Sequence, residues 1–291
     1  MNTMMKVPSF LVLISVVAAQ AASAQIQVRE LASSAGFTPG LPFPGSLASI
    51  GLTGLTGIQG IESTTASPLP YEIAGVSVRV NGAPAPLLLV ADMGWYQQIN
   101  IQVPDFQGQS PQTIEVSQNG QTGQLNVDVY DSLVYGGVQW GVFFDDGSGH
   151  GVFQHTDYTL VTSDHPAQPG EVIVAYCSNL APYQDVEHAP AISYPAQADP
   201  LPSLSPKRSP FTEFAKLLVN NTAAEILYAG LTPGSTGLFQ INFRVPAGTA
   251  DGDAAVTATT DDSSCFGAGA FCPPLRSSPF VKLPVRAAGA Q

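Results

Sequence analysis

The chain has 291 residues, with 10 Lys and Arg against 22 Asp and Glu, a formal net charge of −12 at neutral pH. So acidic a protein repels phosphate backbones and anionic lipid, which sets nucleic-acid and membrane-surface binding aside. Charged residues make up only 11% of the chain, and its 28 Gly and 25 Pro fall between apolar runs, which is the punctuation of short strands and turns rather than of disorder.

In chain order, Lys6, an apolar run from Phe10 to Ala19 and then Ala22-Ser23-Ala24 describe a secretory signal peptide over residues 1–24, with cleavage before Gln25. The run is shorter than the ~20 apolar residues a membrane-spanning helix needs, and no later stretch is apolar enough to insert. No Cys lies near the cleavage site to take a lipid anchor. The expectation is an exported protein, periplasmic, on the cell surface or secreted.

Residues 25–130 form a first unit, and 25–43 are read as its lead-in. A strand near Ser46 to Ile50 is followed by Gly75-Val-Ser-Val-Arg-Val80, where Val76, Val78 and Val80 share one face, the period of a half-buried strand. Asn81-Gly82 follows, a hairpin signal because both positions tolerate positive φ. Leu87 to Val90 returns; Ile99, Ile101 and Val103 alternate with polar residues; Ile114 to Val116 and Leu125 to Val129 flank a second Asn-Gly turn at Asn119-Gly120.

Residues 131–160 are read as a connector rich in aromatics and Gly, and 161–291 as a second unit. Val172 to Tyr176, Leu217 to Val219, Ile226 to Tyr228, Ile241 with Phe243 and Val245, Val256 to Thr260, and Val281 with Leu283 and Val285 are its predicted strands. Asn220-Asn221 stands where the first unit has Asn81-Gly82, and Pro-rich residues 181–210 read as a long surface loop.

The two units are copies. Gln98-Ile-Asn-Ile-Gln-Val-Pro104 returns as Gln240-Ile-Asn-Phe-Arg-Val-Pro246, and Pro44 to Leu55 aligns without gaps on Pro169 to Leu180. No segment holds helical periodicity over three turns. The fold class predicted is all-β: two tandem immunoglobulin-like β-sandwiches.

Several segments together resemble a known family: Ser34-Ala-Gly-Phe-Thr-Pro-Gly40, Pro44-Gly-Ser46, Pro68-Leu-Pro70, Ala74 to Pro86, Gln98 to Pro104, Gly147-Ser-Gly-His-Gly151, Pro169-Gly170 and Tyr228 to Gly248. They are similar to the uncharacterised C-terminal domain family of exported acidobacterial (Solibacter-type) proteins, whose halves resemble TIG/IPT immunoglobulin-like modules. The resemblance implies fold and export and transfers no catalytic or binding residue. The chain departs from that pattern around Leu204 to Phe214 and in a Cys265–Cys272 loop that looks like an insertion.

Of the three cysteines, Cys265 and Cys272 bracket a short Gly- and Ala-rich loop, read in an oxidising compartment as a local disulfide. Cys177 lies on a predicted strand and reads as a small buried apolar side chain. His150 and His155 with Asp146 or Asp157 could share a metal, but no H-x-H or H-E-x-x-H pattern supports it. Asp145-Asp-Gly-Ser-Gly149 is reminiscent of a Ca²⁺ loop yet lacks the alternating acidic register and a downstream Glu. No metal, no cofactor and no catalytic residue is therefore assigned. Ser163, Asp164 and His165 are too close on an extended segment to converge as a triad.

The binding candidates are exposed aromatics: Trp95, Tyr96 and Trp140, with rings suited to stacking on sugars or anchoring a protein. The leading expectation is a non-catalytic module for adhesion, scaffolding or recognition, with an extracellular or cell-surface protein or polysaccharide as partner. A carbohydrate-binding module using an exposed Trp is one alternative, and a secreted hydrolase with its site in the connector is the other.

Overall fold

The structure is a computed structural model, and it describes residues 25–37, 39–42, 44–105, 111–127, 142–178, 199–200, 215–260 and 280–287. Residues 1–24, read above as a signal peptide, Trp140, Cys265 and Cys272 lie outside them, as does all of 181–210 except 199–200.

The first half contains β1 (Gln27–Ser33), β2 (Leu47–Thr53), β3 (Gly60–Ser63), β4 (Val76–Val80), β5 (Ala83–Ala85), β6 (Leu87–Asp92), β7 (Gln97–Gln102), β8 (Gln112–Gln118) and β9 (Gln121–Val127). They pair antiparallel in two sheets, β1-β2-β7-β6-β3 and β5-β4-β8-β9. Counted along the chain, β1, β2, β7 and β6 occupy the A, B, E and D positions of an immunoglobulin sandwich, and β4, β8 and β9 the C, F and G positions. The period-two rows meet between the sheets: Ile50, Ile99, Ile101 and Val90 from one, Val76, Val78, Val80, Ile114 and Val116 from the other, in one buried cluster.

The second half repeats this plan with β10 (Val142–Phe143), β11 (Phe153–Gln154), β12 (Val172–Ser178), β13 (Asp199–Pro200), β14 (Ala215–Val219), β15 (Thr222–Ala223), β16 (Glu225–Leu231), β17 (Phe239–Arg244), β18 (Gly252–Thr260) and β19 (Val281–Val285). Its sheets run β10-β12-β17-β16-β13, with β11 also beside β12, and β15-β14-β18-β19. A separate core forms from Ile173, Ala175, Cys177, Ile241, Phe243 and the inward residues of β14, β18 and β19. The described residues contain no helix. The protein is all-β, two immunoglobulin-like sandwiches in tandem.

Turn chemistry follows the sequence. Asn81 and Gly82 have φ of 50° and 82°, Asn119 and Gly120 of 51° and 76°, and Asn220 and Asn221 of 47° and 62°. Two successive positive φ values are what a two-residue hairpin with the twist of its strands requires.

The sequence reading made 25–43 a lead-in, whereas β1 is a full sheet strand. It pairs with β2 through a register shift between Val28 and Glu30, so its apolar residues lose strict alternation midway. Part of the stretch read as a connector also packs into the second sandwich. Phe143 pairs with Cys177 and Phe153 with Ala175. The Phe153 ring lies 6.4 Å from Phe143 and 6.2 Å from Phe243. The halves touch where Gly237 meets Gly45 and Leu47; a Cβ on Gly237 would come within 2.7 Å of the Gly45 carbonyl.

Candidate functional site

The β6–β7 hairpin carries Asp92-Met-Gly-Trp-Tyr-Gln97 at its turn. Asp92 accepts the Gly94 N–H at 2.8 Å on Oδ1 and the Gln97 side-chain amide at 2.8 Å on Oδ2. Gln97 in turn receives the Leu55 N–H and donates to the Leu55 carbonyl, both at 2.9 Å. The turn is therefore fastened to the chain leaving β2. The Gln97 amide first, then the Gly94 N–H, hold the Asp92 carboxyl below its ordinary value, because both donors favour the charged form.

This fastening presents Trp95 to solvent at 85% exposure, tilted 31° against Tyr96 with ring centroids 5.4 Å apart. Tyr96 leans across β2 at Gly51 and its hydroxyl reaches Glu30 on β1 at 3.5 Å. Gly51 makes this possible: a Cβ there would lie 3.0 Å from the Tyr96 hydroxyl and 2.6 Å from the Glu30 carboxylate. Burial, and then the nearby Glu30 charge, push the Tyr96 phenol up. Met93 and Ile61, both exposed, extend the apolar corner toward β3, since Ile61 pairs with Ala91 on β6.

Beside the rings runs a polar ladder on the same outer face. Gln98 pairs with Gly51 on one side and Ala91 on the other, and Asn100 with Ser49 and Leu89. Gln98 Nε2 donates to Asn100 Oδ1 at 2.6 Å, and the Ser49 hydroxyl to the same oxygen at 3.0 Å. Ser34 and Ser49 hydroxyls lie 2.9 Å apart. An aromatic platform beside amides and hydroxyls suits a ligand with one apolar face and many hydroxyls.

The polar residues of the segment read as a connector are each engaged in bonds of their own. His155 is buried, its Nδ1 2.5 Å from Glu171 and its Nε2 3.2 Å from the His165 carbonyl. Asp157 accepts from the Thr159 N–H and hydroxyl, and Asp145 from the Gly147 N–H. A set the sequence reading missed does resemble a triad: Ser148 Oγ lies 2.7 Å from His150 Nδ1, and His150 Nε2 lies 3.2 Å from Asp253. Only contact between the loop and β18, distant in sequence, brings it together. Its wiring opposes nucleophile activation. Ser148 donates to Asp146 at 2.6 Å, a carboxylate that competes with His150 for the hydroxyl proton. That hydroxyl, ahead of the backbone donors, holds Asp146 below its ordinary value. Among the described residues, no group of three or more His, Cys, Asp or Glu is placed to hold a metal ion.

No family model and no curated protein matches the chain. Among solved structures it is similar to a glucan-utilisation protein, SGBP-B from Bacteroides ovatus in complex with a mixed-linkage heptasaccharide, at 10% identity and a TM-score of 0.35. The match covers 92% of this chain and 48% of that one, so the chain spans about half that protein's length. It is also similar to the tandem Ig repeats of Dlar, at 12% identity, a TM-score of 0.22, and 91% and 99% of the two chains covered. The I9–I11 tandem of titin follows at 10% identity, a TM-score of 0.20, and 90% and 66% covered. Likeness at this level carries no functional inference for this chain.

Proposed function

We propose that the protein is an exported, non-catalytic recognition module, and that the outer face of β1-β2-β7-β6-β3 binds a neutral polysaccharide. The observation that carries this reading is Trp95, exposed on a fastened hairpin and tilted against Tyr96, which itself lies over Gly51 beside Gln98 of the polar ladder. A pyranose ring laid on the indole would place its equatorial hydroxyls toward those amides. The acidic chain argues against an anionic polymer, because like charges repel. Export rests on the signal-peptide pattern, and the TIG/IPT-like family resemblance agrees with it.

The test is retention of the protein, lacking residues 1–24, in gels containing a soluble glucan, mannan, galactan or xylan. Trp95→Ala should weaken retention by roughly tenfold, the equivalent of about 1.4 kcal/mol of stacking, while leaving thermal stability unchanged. Unaltered retention in that variant, or no retention of the wild type on any of the four, defeats the reading.

A further inference from the structure

The second sandwich carries the same constellation at the same place, built from different residues. Gln240 Nε2 donates to Asn242 Oδ1 at 3.1 Å, repeating the Gln98–Asn100 pair. Gln240 pairs across the sheet with Tyr176, just as Gln98 pairs with Gly51. The first half thus leaves the β2 position empty and fills it with Tyr96 from the neighbouring strand. In the second half the equivalent of Tyr96 is Leu238, and the ring stands at the β12 position itself as Tyr176.

The hydroxyl of each tyrosine turns toward the outer strand, Tyr96 to Glu30 and Tyr176 to Gln154 Oε1 at 2.8 Å. An exposed ring accompanies each: Trp95 in the first half, and Tyr158 at 77% exposure in the second. Tyr158 sits in the turn after β11, at φ 68°. It is kept there by the Tyr158 N–H on the His155 carbonyl and by the Asp157–Thr159 bonds. A bulky residue at positive φ is costly and persists only where its surroundings impose it. Gln154, the acceptor of the Tyr176 hydroxyl, bridges Leu160 across the turn that carries Tyr158, which sets that turn beside Tyr176. On the far side of Gln240 lies Gly230, and Tyr228, which pairs with Asn242, reaches along β16 past it to donate its hydroxyl to the Leu231 carbonyl at 2.6 Å. Arg244, the next outward residue of β17 after Asn242, is paired with Glu225 at 2.9 Å at the margin of this face, while Gln154, Tyr176, Gln240 and Asn242 are uncharged and suit hydroxyls.

We infer that the outer face of β12-β17-β16, with Tyr158 and Tyr176, is a second subsite for the same class of neutral polysaccharide, making the chain bivalent along one polymer. This rests on the reading of the Trp95 face. Its consequence is avidity: once one face is bound, the other meets the polymer at high effective concentration.

Calorimetry with a trisaccharide cut from the retaining polysaccharide, run beside gel retention on the intact polymer, tests it. The wild type should bind two trisaccharides; Trp95→Ala and Tyr158→Ala should each bind one, and each should lose about ten- to a hundredfold in polymer retention. Tyr176→Phe guards against a folding artefact, because it keeps the ring and removes only the hydroxyl bond to Gln154; it should weaken the second site alone. One trisaccharide per wild-type chain, lost in Trp95→Ala and unaffected by Tyr158→Ala and Tyr176→Phe, overturns the second subsite while the first reading stands. One site lost only in the Tyr158 variant overturns both the pairing and the Trp95 reading. Absence of any binding removes both together.

Discussion

In the first sandwich the A position is a single seven-residue strand, β1, lying beside β2 with one register shift. In the second the same edge is assembled from β10 and β11, two residues each, with the acidic loop between them and the His155 turn after them. The B, E and D strands and their inner rows are alike in both halves: Ile99 pairs with Ile50 on one side and Val90 on the other, and Ile241 with Ala175 and Ala229. A central strand has partners on two sides and a core beneath it, so its period is fixed. An edge strand has one partner and can be broken, bulged or lengthened without losing the sheet. The outer face follows the same logic, since a ring can arrive there from β7 over Gly51 or stand on β12 as Tyr176.

The strongest test of this difference removes the ring that welds the broken edge to the second core. Phe153 is fully buried between Phe143 and Phe243, and β1 offers no counterpart of its size. Phe153→Ala should cost about 3–5 kcal/mol, confined to the second sandwich. Cys177 supplies a local readout. It is free and buried in that core, and burial pushes its thiol well above the ordinary value. The native protein should resist a thiol reagent even as the pH rises through about 9, because the folded state holds the proton. The unfolded state loses it there, so stability of this half should decline above that pH. In Phe153→Ala, labelling of Cys177 should accelerate in proportion to the lost stability. A variant that labels no faster would show that β11 contributes nothing to this core.

A smaller effect is expected from the turn that follows. His155 Nδ1 meets Glu171 and its Nε2 meets the His165 carbonyl, with the His165 ring stacked 4.2 Å away. Both nitrogens face acceptors, and Glu171 also receives the Gln168 N–H. His155→Ala removes one donor from each of these acceptors, Glu171 keeping the Gln168 N–H and the His165 carbonyl the Thr162 N–H, at a cost of about 1–2 kcal/mol, read by urea denaturation. Denaturation midpoints within error of wild type would mean that the turn is held by the Asp157 and Thr159 bonds alone.

The inner strands were plain in the sequence, because Val76, Val78 and Val80, or Ile241, Phe243 and Val245, have only one period that buries them. The Asn-Gly turns were equally plain, since few residue pairs accept two positive φ values. β1 was hidden by its bulge: Ile26, Val28 and Leu31 are all buried, but they break alternation at Arg29. β3 was hidden because all four residues are exposed and no pattern marks a strand held by backbone bonds alone. Trp95 and Tyr96 stood out as loop aromatics. Gly51 did not, because its part is to be absent beneath Tyr96, and cross-strand register brings it there. A trace existed: aligning the copies sets Gly51 against Tyr176 and Tyr96 against Leu238, an exchange of ring and gap between adjacent strands.

The least change that separates the two faces acts on the hairpin alone. Asp92 receives the Gly94 N–H and the Gln97 amide, and the second half has no such acid before its corresponding loop, where Leu231-Thr232 stands. Its carboxyl is held below its ordinary value of 3.8, so what it contributes is present above that pH and lost as the pH falls through the depressed folded value. Its partial exposure to water makes the effect on overall stability slight, and the order of the Trp95 ring is the better measure. In a Trp140→Phe background, which leaves one indole of the two in the chain, Asp92→Ala should lower the fluorescence anisotropy of Trp95 at neutral pH. The unsubstituted hairpin should show the same fall only below about pH 4. Trisaccharide binding at the first face should weaken with it while the second face keeps its affinity, because Tyr158 is held by a different acid, Asp157, two residues from its partner Thr159. Equal weakening of both faces would mean that ring order is not what distinguishes them.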